Sequence, residues 1–291
     1  MSNRSKYFAL PGLAFAAGIA SIMISGAAYA ELPVNWQMGF QAAASPIMED
    51  INNFHNLLLA LTGGIVLLVF VLLANVVVRF NARANPKAAT FTHNTILEVA
   101  WTAIPIFILL IIAIPSFRLM YAEDVAPEAG LTLKLTGNQW YWTAEYPDVT
   151  ANGAPVSYDM VMLEDAERPA GAPRLLAVDN ELVVPVDTVV RVIVTASDVI
   201  HAFAMPAMGV KIDAVPGRLN ETWFKATREG TFYGQCSELC GARHAFMPLA
   251  LKVVSEPAFA VWIEAAKLKY AAAPARIPAK PSTELAAAGA P

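Results

Sequence analysis

The sequence predicts a two-helix transmembrane hairpin in the N-terminal half, followed by an all-β sandwich or barrel. Two long runs without a charged residue predict the hairpin. Short apolar or β-branched runs, separated by turn residues, predict the sandwich. The 291 residues are 56% hydrophobic and only 15% charged, which is unusual for a soluble protein and agrees with membrane-spanning segments.

The overall charge and the cysteines exclude two classes of protein. A formal net charge of −4 argues against a nucleic-acid partner, because phosphate binding needs a concentrated basic face. The two cysteines, Cys236 and Cys240, lie in one short stretch. That distribution is not typical of a disulfide-stabilised fold.

Residues 1–30 have the pattern of a signal peptide. Arg4 and Lys6 form a basic start, 13–24 is apolar, and 28–30 is an Ala-Tyr-Ala cleavage site. A first membrane helix is the competing interpretation, but a Pro-Gly pair interrupts it early and no stop-transfer signal follows. We predict cleavage, which places the mature N-terminus in a periplasm or an equivalent space.

Two membrane spans are predicted at about 57–78 and 97–119, within a segment of 31–125. The first span has 22 residues without a charge, and 99–117 adds 19 more. At about 1.5 Å per residue, each run can cross roughly 30 Å of hydrocarbon. Prolines inside the second span predict kinks supported by neighbouring helices, and therefore a larger complex.

The charges beside the spans predict their orientation. Arg79, Arg83 and Lys87 lie between the spans, whereas 31–56 contains no lysine or arginine. By the positive-inside rule the short loop is cytoplasmic. Both mature ends of this bilayer-spanning chain are then predicted to face outward.

From residue 131 the pattern changes to that of strands. Residues 131–136 alternate between apolar and polar, as a half-buried strand does. Further β-prone runs follow at 140–146, 174–178, 181–186, 189–195, 221–226 and 230–235. This spacing predicts an antiparallel sandwich or barrel within a domain of 126–256.

The C-terminal segment, 257–291, has two predicted parts. Phe259 and Trp262 belong to a short amphipathic helix that begins after Pro257. Residues 271–291 are rich in alanine and proline, which predicts a disordered tail.

One loop carries a set of soft metal ligands. Cys240, His244 and Met247 lie a few residues apart, and His201 is available on a distant strand. This is the ligand pattern of a cupredoxin electron-transfer site. Cys236 adds a second thiolate, and two thiolates can bridge two metal ions. The pattern predicts a cupredoxin site enlarged to hold two copper ions.

Three other interpretations of these residues compete. A disulfide between Cys236 and Cys240 is possible in an oxidising compartment, but it leaves the other ligands unexplained. A structural zinc site fits two cysteines and two histidines but gives no role to Met247. A catalytic dithiol usually has a two-residue spacer, which is absent here. Copper is favoured over zinc by a modest margin on these residues alone.

The run from Cys236 to Met247 resembles the binuclear copper signature of cytochrome c oxidase subunit II. Residues 137–146, 178–180 and 209–220 are similar to the same family. The resemblance extends from the first span to about residue 254 and implies a helical hairpin followed by a cupredoxin-like Greek-key domain. The signal peptide and the tail resemble those of alphaproteobacterial members, which implies a bacterial inner (plasma) membrane.

The resemblance implies a role for each ligand. Cys236 and Cys240 would bridge both copper ions, and His201 and Met247 would complete one of them. His244 and the backbone carbonyl of Glu238 would complete the other copper. The Glu238 side chain would point toward a magnesium ion shared with subunit I.

Further positions also match the family. Trp140 would be the surface residue at which the electron enters, and Glu98 would lie by the mouth of a proton channel in subunit I. Glu145, Asp179 and Asp198 match positions for cytochrome c docking. Residues 118–256 carry 18 acidic and 11 basic side chains, so a negative face could steer a basic cytochrome c.

The implied function is electron transfer from cytochrome c to heme in subunit I, where oxygen is reduced to water with proton pumping. Subunit I and subunit III would be partners. Two alternatives belong to other classes. A quinol-oxidase type of subunit II would lack the copper ligands, which are intact here. A copper chaperone or store would not need Trp140, the docking acids or two kinked spans.

Overall fold

The computed structural model describes residues 32–87 and 89–270. The predicted signal peptide and the predicted tail from 271 onward lie outside the described residues. Helix α1 is Pro46–Arg79 and helix α2 is Thr95–Asp124. Both are long and apolar enough to cross a membrane, and none of either apolar window is buried by the rest of the chain. The two apolar helices of the predicted hairpin are confirmed.

Both helices begin at side-chain caps and extend beyond the predicted spans. Ser45 Oγ accepts a hydrogen bond from the backbone N–H of Met48, and Pro46 occupies the first turn of α1. The Asn94 side chain caps α2 through the N–H of Leu97. The extra turns of α1 precede the predicted span, at the N-terminal end of the helix. They contact the β domain.

Ten strands follow in the described part of the chain, and a third helix, α3, closes the domain at Glu256–Tyr270. The strands are β1 Leu131–Asn138, β2 Tyr141–Ala151, β3 Ala154–Met160, β4 Leu182–Pro185, β5 Val189–Ala196, β6 His201–Met205, β7 Val210–Ala214, β8 Asn220–Lys225, β9 Gly230–Gln235 and β10 Pro248–Val254. The all-β prediction for this domain is confirmed.

The predicted strand at 174–178 is wrong. This segment forms a turn in which Leu175 has a φ of 64° and the N–H of Ala177 bonds to Pro173 O. Only Val178 makes a bridge, with Met162. The run is apolar but its backbone bonds are local, so it has no strand partner.

The strands form a five-stranded sheet, β3-β2-β1-β5-β8, a three-stranded sheet, β4-β10-β9, and a β6-β7 ribbon. The sequence predicts purely antiparallel pairing, and this is wrong. Strand β1 runs parallel to β5, and β4 runs parallel to β10. After β3 the chain crosses to the second sheet as β4. It then returns as β5 beside β1 in the same direction.

The core lies between the two sheets and is extended by α3. Inward residues of β1 and β5 alternate with outward ones, as in Leu131, Leu133 and Leu135, which are all buried. Helix α3 packs Trp262 against the buried Tyr146, with ring centroids 5.1 Å apart. Apolar packing therefore continues from the sandwich into the helix.

The start of α1 is fixed to the sandwich by backbone hydrogen bonds. Ala44 donates its N–H to Ala207 O at 2.8 Å and accepts from the Thr227 N–H at 2.9 Å. Ser45 Oγ donates to Met208 O at 2.7 Å. Gly209 has a φ of 72°, and a Cβ there would lie 2.8 Å from Ile51 Cδ1, so the close approach requires glycine.

Candidate metal centre

The predicted ligands converge at one end of the sandwich. His201 is the first residue of β6, and the other four side chains lie on the loop between β9 and β10. Strands β9 and β10 pair up to the register of Gln235 with Pro248, which closes this loop at its base. The N–H of Cys236 also bonds to Met247 O at 3.4 Å across the loop.

The ligand atoms lie within direct contact of one another. Cys236 Sγ is 3.8 Å from Cys240 Sγ and 3.8 Å from His201 Nδ1. Cys240 Sγ is 3.5 Å from His244 Nδ1 and 3.5 Å from Met247 Sδ. Each cysteine sulfur therefore faces one imidazole, and the Cys240 sulfur also faces the thioether of Met247.

The centre is shielded from solvent on most sides. The side chains of His201, Cys236, Cys240 and Met247 are all buried, and His244 is half-buried. The backbone oxygen of Glu238 completes the group at 3.3 Å from Cys236 Sγ, whereas Glu238 itself is exposed. All six predicted ligand positions are thus brought together.

Burial and hydrogen bonding give the two cysteines very different pKa values. Burial alone would raise the pKa of Cys236, but hydrogen bonds from His201 and from backbone groups outweigh it and lower the pKa to about 6. Burial and the neighbouring Cys236 charge raise the pKa of Cys240 to about 12. One thiolate is therefore present at neutral pH.

The donor set suits a soft metal. One group of potential metal ligands has its ligand atoms within 4.8 Å of one another among the described residues. It consists of His201, Cys236 and Cys240. Both cysteines are free. The thioether of Met247 beside Cys240 favours copper over zinc, because zinc sites use thiolate, imidazole and carboxylate.

Trp140 lies directly over the cysteine loop. It occupies the turn between β1 and β2, and its indole N–H donates to Cys240 O at 3.2 Å. The side-chain amide of Gln139 donates to the same oxygen at 2.7 Å. The indole is therefore linked by one hydrogen bond to the backbone of a ligand.

Comparison with known proteins agrees with this geometry. A family model described as cytochrome C oxidase subunit II, periplasmic domain, matches residues 131–254, and the transmembrane-domain model of the same family matches 33–119. The chain belongs to the cytochrome c oxidase subunit II family. Family members bind copper, and the predicted family, fold class and respiratory oxidoreductase function are confirmed.

Individual relatives of the subunit II family cover most of the chain. The "Probable cytochrome c oxidase subunit 2" of Rickettsia bellii is 50% identical over 254 residues, 87% of this chain and 93% of the relative. The protein from Phytophthora megasperma is 44% identical, over 79% of this chain and 86% of the relative. A crystal structure of the periplasmic domain of subunit II from Bradyrhizobium japonicum shows 59% identity over 50% of this chain and 99% of that one, with a TM-score of 0.46.

The three acids predicted to dock cytochrome c have different surroundings in this subunit II. Glu145, on β2, forms an ion pair with Lys134 at 3.4 Å. Asp179 accepts from the N–H groups of Val161 and Asn180. Asp198 bonds to His201 Nε2 at 2.9 Å and to the Gln139 N–H at 2.7 Å, so it alone contacts a ligand.

Glu98 lies far along the chain from the cluster, in the first turn of α2. Its position agrees with the favourable interaction of a carboxylate with a helix N-terminus. It is at the helix end opposite to the one that joins the sandwich, since Ala122 near the other end of α2 accepts from Trp223 Nε1 at 3.1 Å.

Two residues that support the centre were not singled out from the sequence. Gln139 bonds to Cys240 O, and Gly137 approaches His201 so closely that a Cβ would lie 2.8 Å from the ring atom Cδ2. Both belong to the segment 137–146 that resembles the family. The resemblance indicated that this segment matters, but it did not predict these two contacts.

Proposed function

We propose that this chain is the electron-accepting subunit of a cytochrome c oxidase, with a binuclear copper centre. The convergence of two cysteine sulfurs, two imidazoles, a thioether and a carbonyl at 3.3–3.8 Å is the observation that supports it. When bound at these residues, copper would supply a one-electron centre between cytochrome c and the heme of subunit I.

The six ligands would divide between the two copper ions. Cys236 and Cys240 would contribute to both. His201 and Met247 would complete one copper, and His244 with the carbonyl of Glu238 would complete the other. The paired sulfurs, each facing an imidazole, support this assignment.

Trp140 is the residue at which the electron enters. Its large π-system is half-exposed and its N–H bonds to Cys240 O, so the indole offers cytochrome c a surface that is coupled to a ligand backbone. Glu145, Asp179 and Asp198 would attract the basic face of cytochrome c, in a segment of 118–256 with a net charge of −7.

The remaining roles concern the other subunits. The exposed Glu238 side chain would hold a magnesium ion shared with subunit I. Glu98 would gather protons at the mouth of a channel in subunit I. Subunit III would complete the complex in the bilayer.

We also propose the placement of the chain in a bacterial inner membrane. Residues 1–30 would be removed, and Arg79, Arg83 and Lys87 would keep the short loop cytoplasmic. The copper domain and both mature ends would then lie in the periplasm.

Electron acceptance is tested by the substitution Trp140→Phe in the copper-loaded oxidase. We expect ferrocytochrome c to reduce the centre more slowly, because the coupling hydrogen bond to Cys240 is lost while the ligands are untouched. Stopped-flow spectroscopy gives the rate and electron paramagnetic resonance gives the state of the metal. Trp223→Phe, which removes an indole remote from the ligands, is the matched control. An unchanged rate, or loss of copper, would contradict the role of Trp140.

A further inference from the structure

We propose that Asp198 is a positioning residue that fixes both the copper ligand His201 and the turn that carries Trp140. This role rests on the proposed copper function and goes beyond the docking role predicted for the same residue. One carboxylate would fix the position of the metal ligand relative to the turn that accepts the electron.

The first contact of Asp198 is with His201. Its imidazole is fully buried, with Nδ1 3.8 Å from Cys236 Sγ and Nε2 2.9 Å from Asp198 Oδ1. A carboxylate accepts, so Nε2 carries a proton, and Nδ1 is the ring nitrogen that faces the sulfurs and would bind a metal. Such partners orient metal-binding histidines and increase their basicity.

The second contact of Asp198 is with the turn between β1 and β2. Asp198 Oδ2 accepts from the backbone N–H of Gln139 at 2.7 Å. The Gln139 side chain and the Trp140 indole then both donate to Cys240 O. The carboxylate is thus two hydrogen bonds away from Cys240 O on one side and one from the ligand His201 on the other.

The position of the carboxylate favours this role over docking alone. The Asp198 side chain is 32% exposed, close to the 30% of Glu145, so its hydrogen bonds and not its burial distinguish it. Oδ1 also accepts from the Val199 N–H at 2.6 Å, so both oxygens are directed at internal donors. Glu145 contacts Lys134 and Asp179 contacts backbone N–H groups, and neither bonds to a ligand.

The negative charge has a consequence for electron transfer. A carboxylate bonded to a ligand imidazole stabilises the more positive, oxidised state of the metal. Asp198→Asn keeps the size of the side chain but removes the charge and one acceptor. We expect the reduction potential of the centre to rise and copper affinity to fall by about 10–100-fold.

The first test uses the metal-free full chain, and its deciding measurement is made on the unsubstituted protein. Nitrogen-15 NMR of the His201 ring should show the Nε2-protonated form, with slow exchange of that proton. In Asp198→Asn the protection of the proton should be lost. A ring without a proton on Nε2, or rapid exchange of that proton in the unsubstituted chain, would overturn the proposal even if the variant does not fold.

The second test uses the copper-loaded chain. Asp198→Asn should shift the potential upward and alter the metal spectrum. Asp187→Asn removes an equal charge at an exposed site paired with Lys225, and should change neither. If Asp198→Asn changes only the salt dependence of the reaction with cytochrome c, Asp198 is a docking residue and the proposal fails. If the unsubstituted chain binds no copper, the proposed function fails, while the NMR test still decides the contact.

Discussion

The unequal pKa values of Cys236 and Cys240 predict a pH dependence that can be measured without metal. The pKa of Cys236 is lowered to about 6, so in the reduced, metal-free chain one thiolate should form as the pH rises through about 6. The second should not form until near pH 12. Thiolate absorbance in the ultraviolet gives both steps.

Cys236→Ser is the control for this titration, because it should abolish the step at low pH. A chain in which absorbance stays flat until near pH 9.0, the ordinary pKa of a thiol, would show that His201 and the neighbouring backbone groups do not stabilise the Cys236 thiolate.

At the residue scale, the spacing of Cys236, Cys240, His244 and Met247 was enough to predict the ligand loop, because four ligands lie within twelve residues. The partners of those ligands were not predictable in the same way. Asp198 and Gln139 are 59 residues apart, and their contact depends on the pairing of β1 with β5 and on the position of β6. No local pattern contains that information.

Gly137, at the end of β1, is predicted to be essential to the copper site. A Cβ there would lie 2.8 Å from His201 Cδ2, so Gly137→Ala should displace the imidazole and weaken copper binding by at least about tenfold. Copper titration of the full chain measures the effect. Gly39→Ala is the control, because its Cβ would meet no atom within 4 Å. Unchanged copper affinity in Gly137→Ala would show that the His201 ring can move freely.

Ser45 joins helix α1 to the sandwich and is predicted to stabilise both. Its buried hydroxyl accepts from the Met48 N–H and donates to Met208 O. Ser45→Ala should lower the free energy of unfolding by about 1–2 kcal/mol, because a cap is lost and a buried carbonyl loses its donor. Thermal unfolding in detergent measures this loss.

Asn94→Ala is the matched control for the cap, since Asn94 caps α2 at an exposed position. We expect it to cost less, about 0.5 kcal/mol. If Ser45→Ala costs no more than Asn94→Ala, the contact of α1 with the sandwich contributes little to stability.

At the element scale, alternation and β-branched runs predicted most strands but not their partners. The segment 174–178 had a suitable composition, yet its backbone closes a turn with Pro173. Short strands such as β6 and β7 were missed because their pattern is interrupted by the ligand His201 and by small residues. Parallel pairing of β1 with β5 was also missed, because direction depends on the crossing between sheets.

At the scale of the whole molecule, the long uncharged runs were sufficient to predict two apolar helices. They did not predict how the hairpin meets the sandwich. That junction depends on Ala44 and Ser45, which precede the first apolar run, and on backbone groups of Ala207, Met208 and Thr227. The hairpin and the copper domain are therefore joined by specific hydrogen bonds as well as by the chain.

The centre of this molecule is a pair of sulfurs 3.8 Å apart, each beside an imidazole. Electron paramagnetic resonance of the copper-loaded full chain tests its proposed role most directly. A seven-line hyperfine pattern, from one unpaired electron shared by two copper ions, is the predicted result. A four-line pattern, or a silent protein that contains zinc, would contradict it.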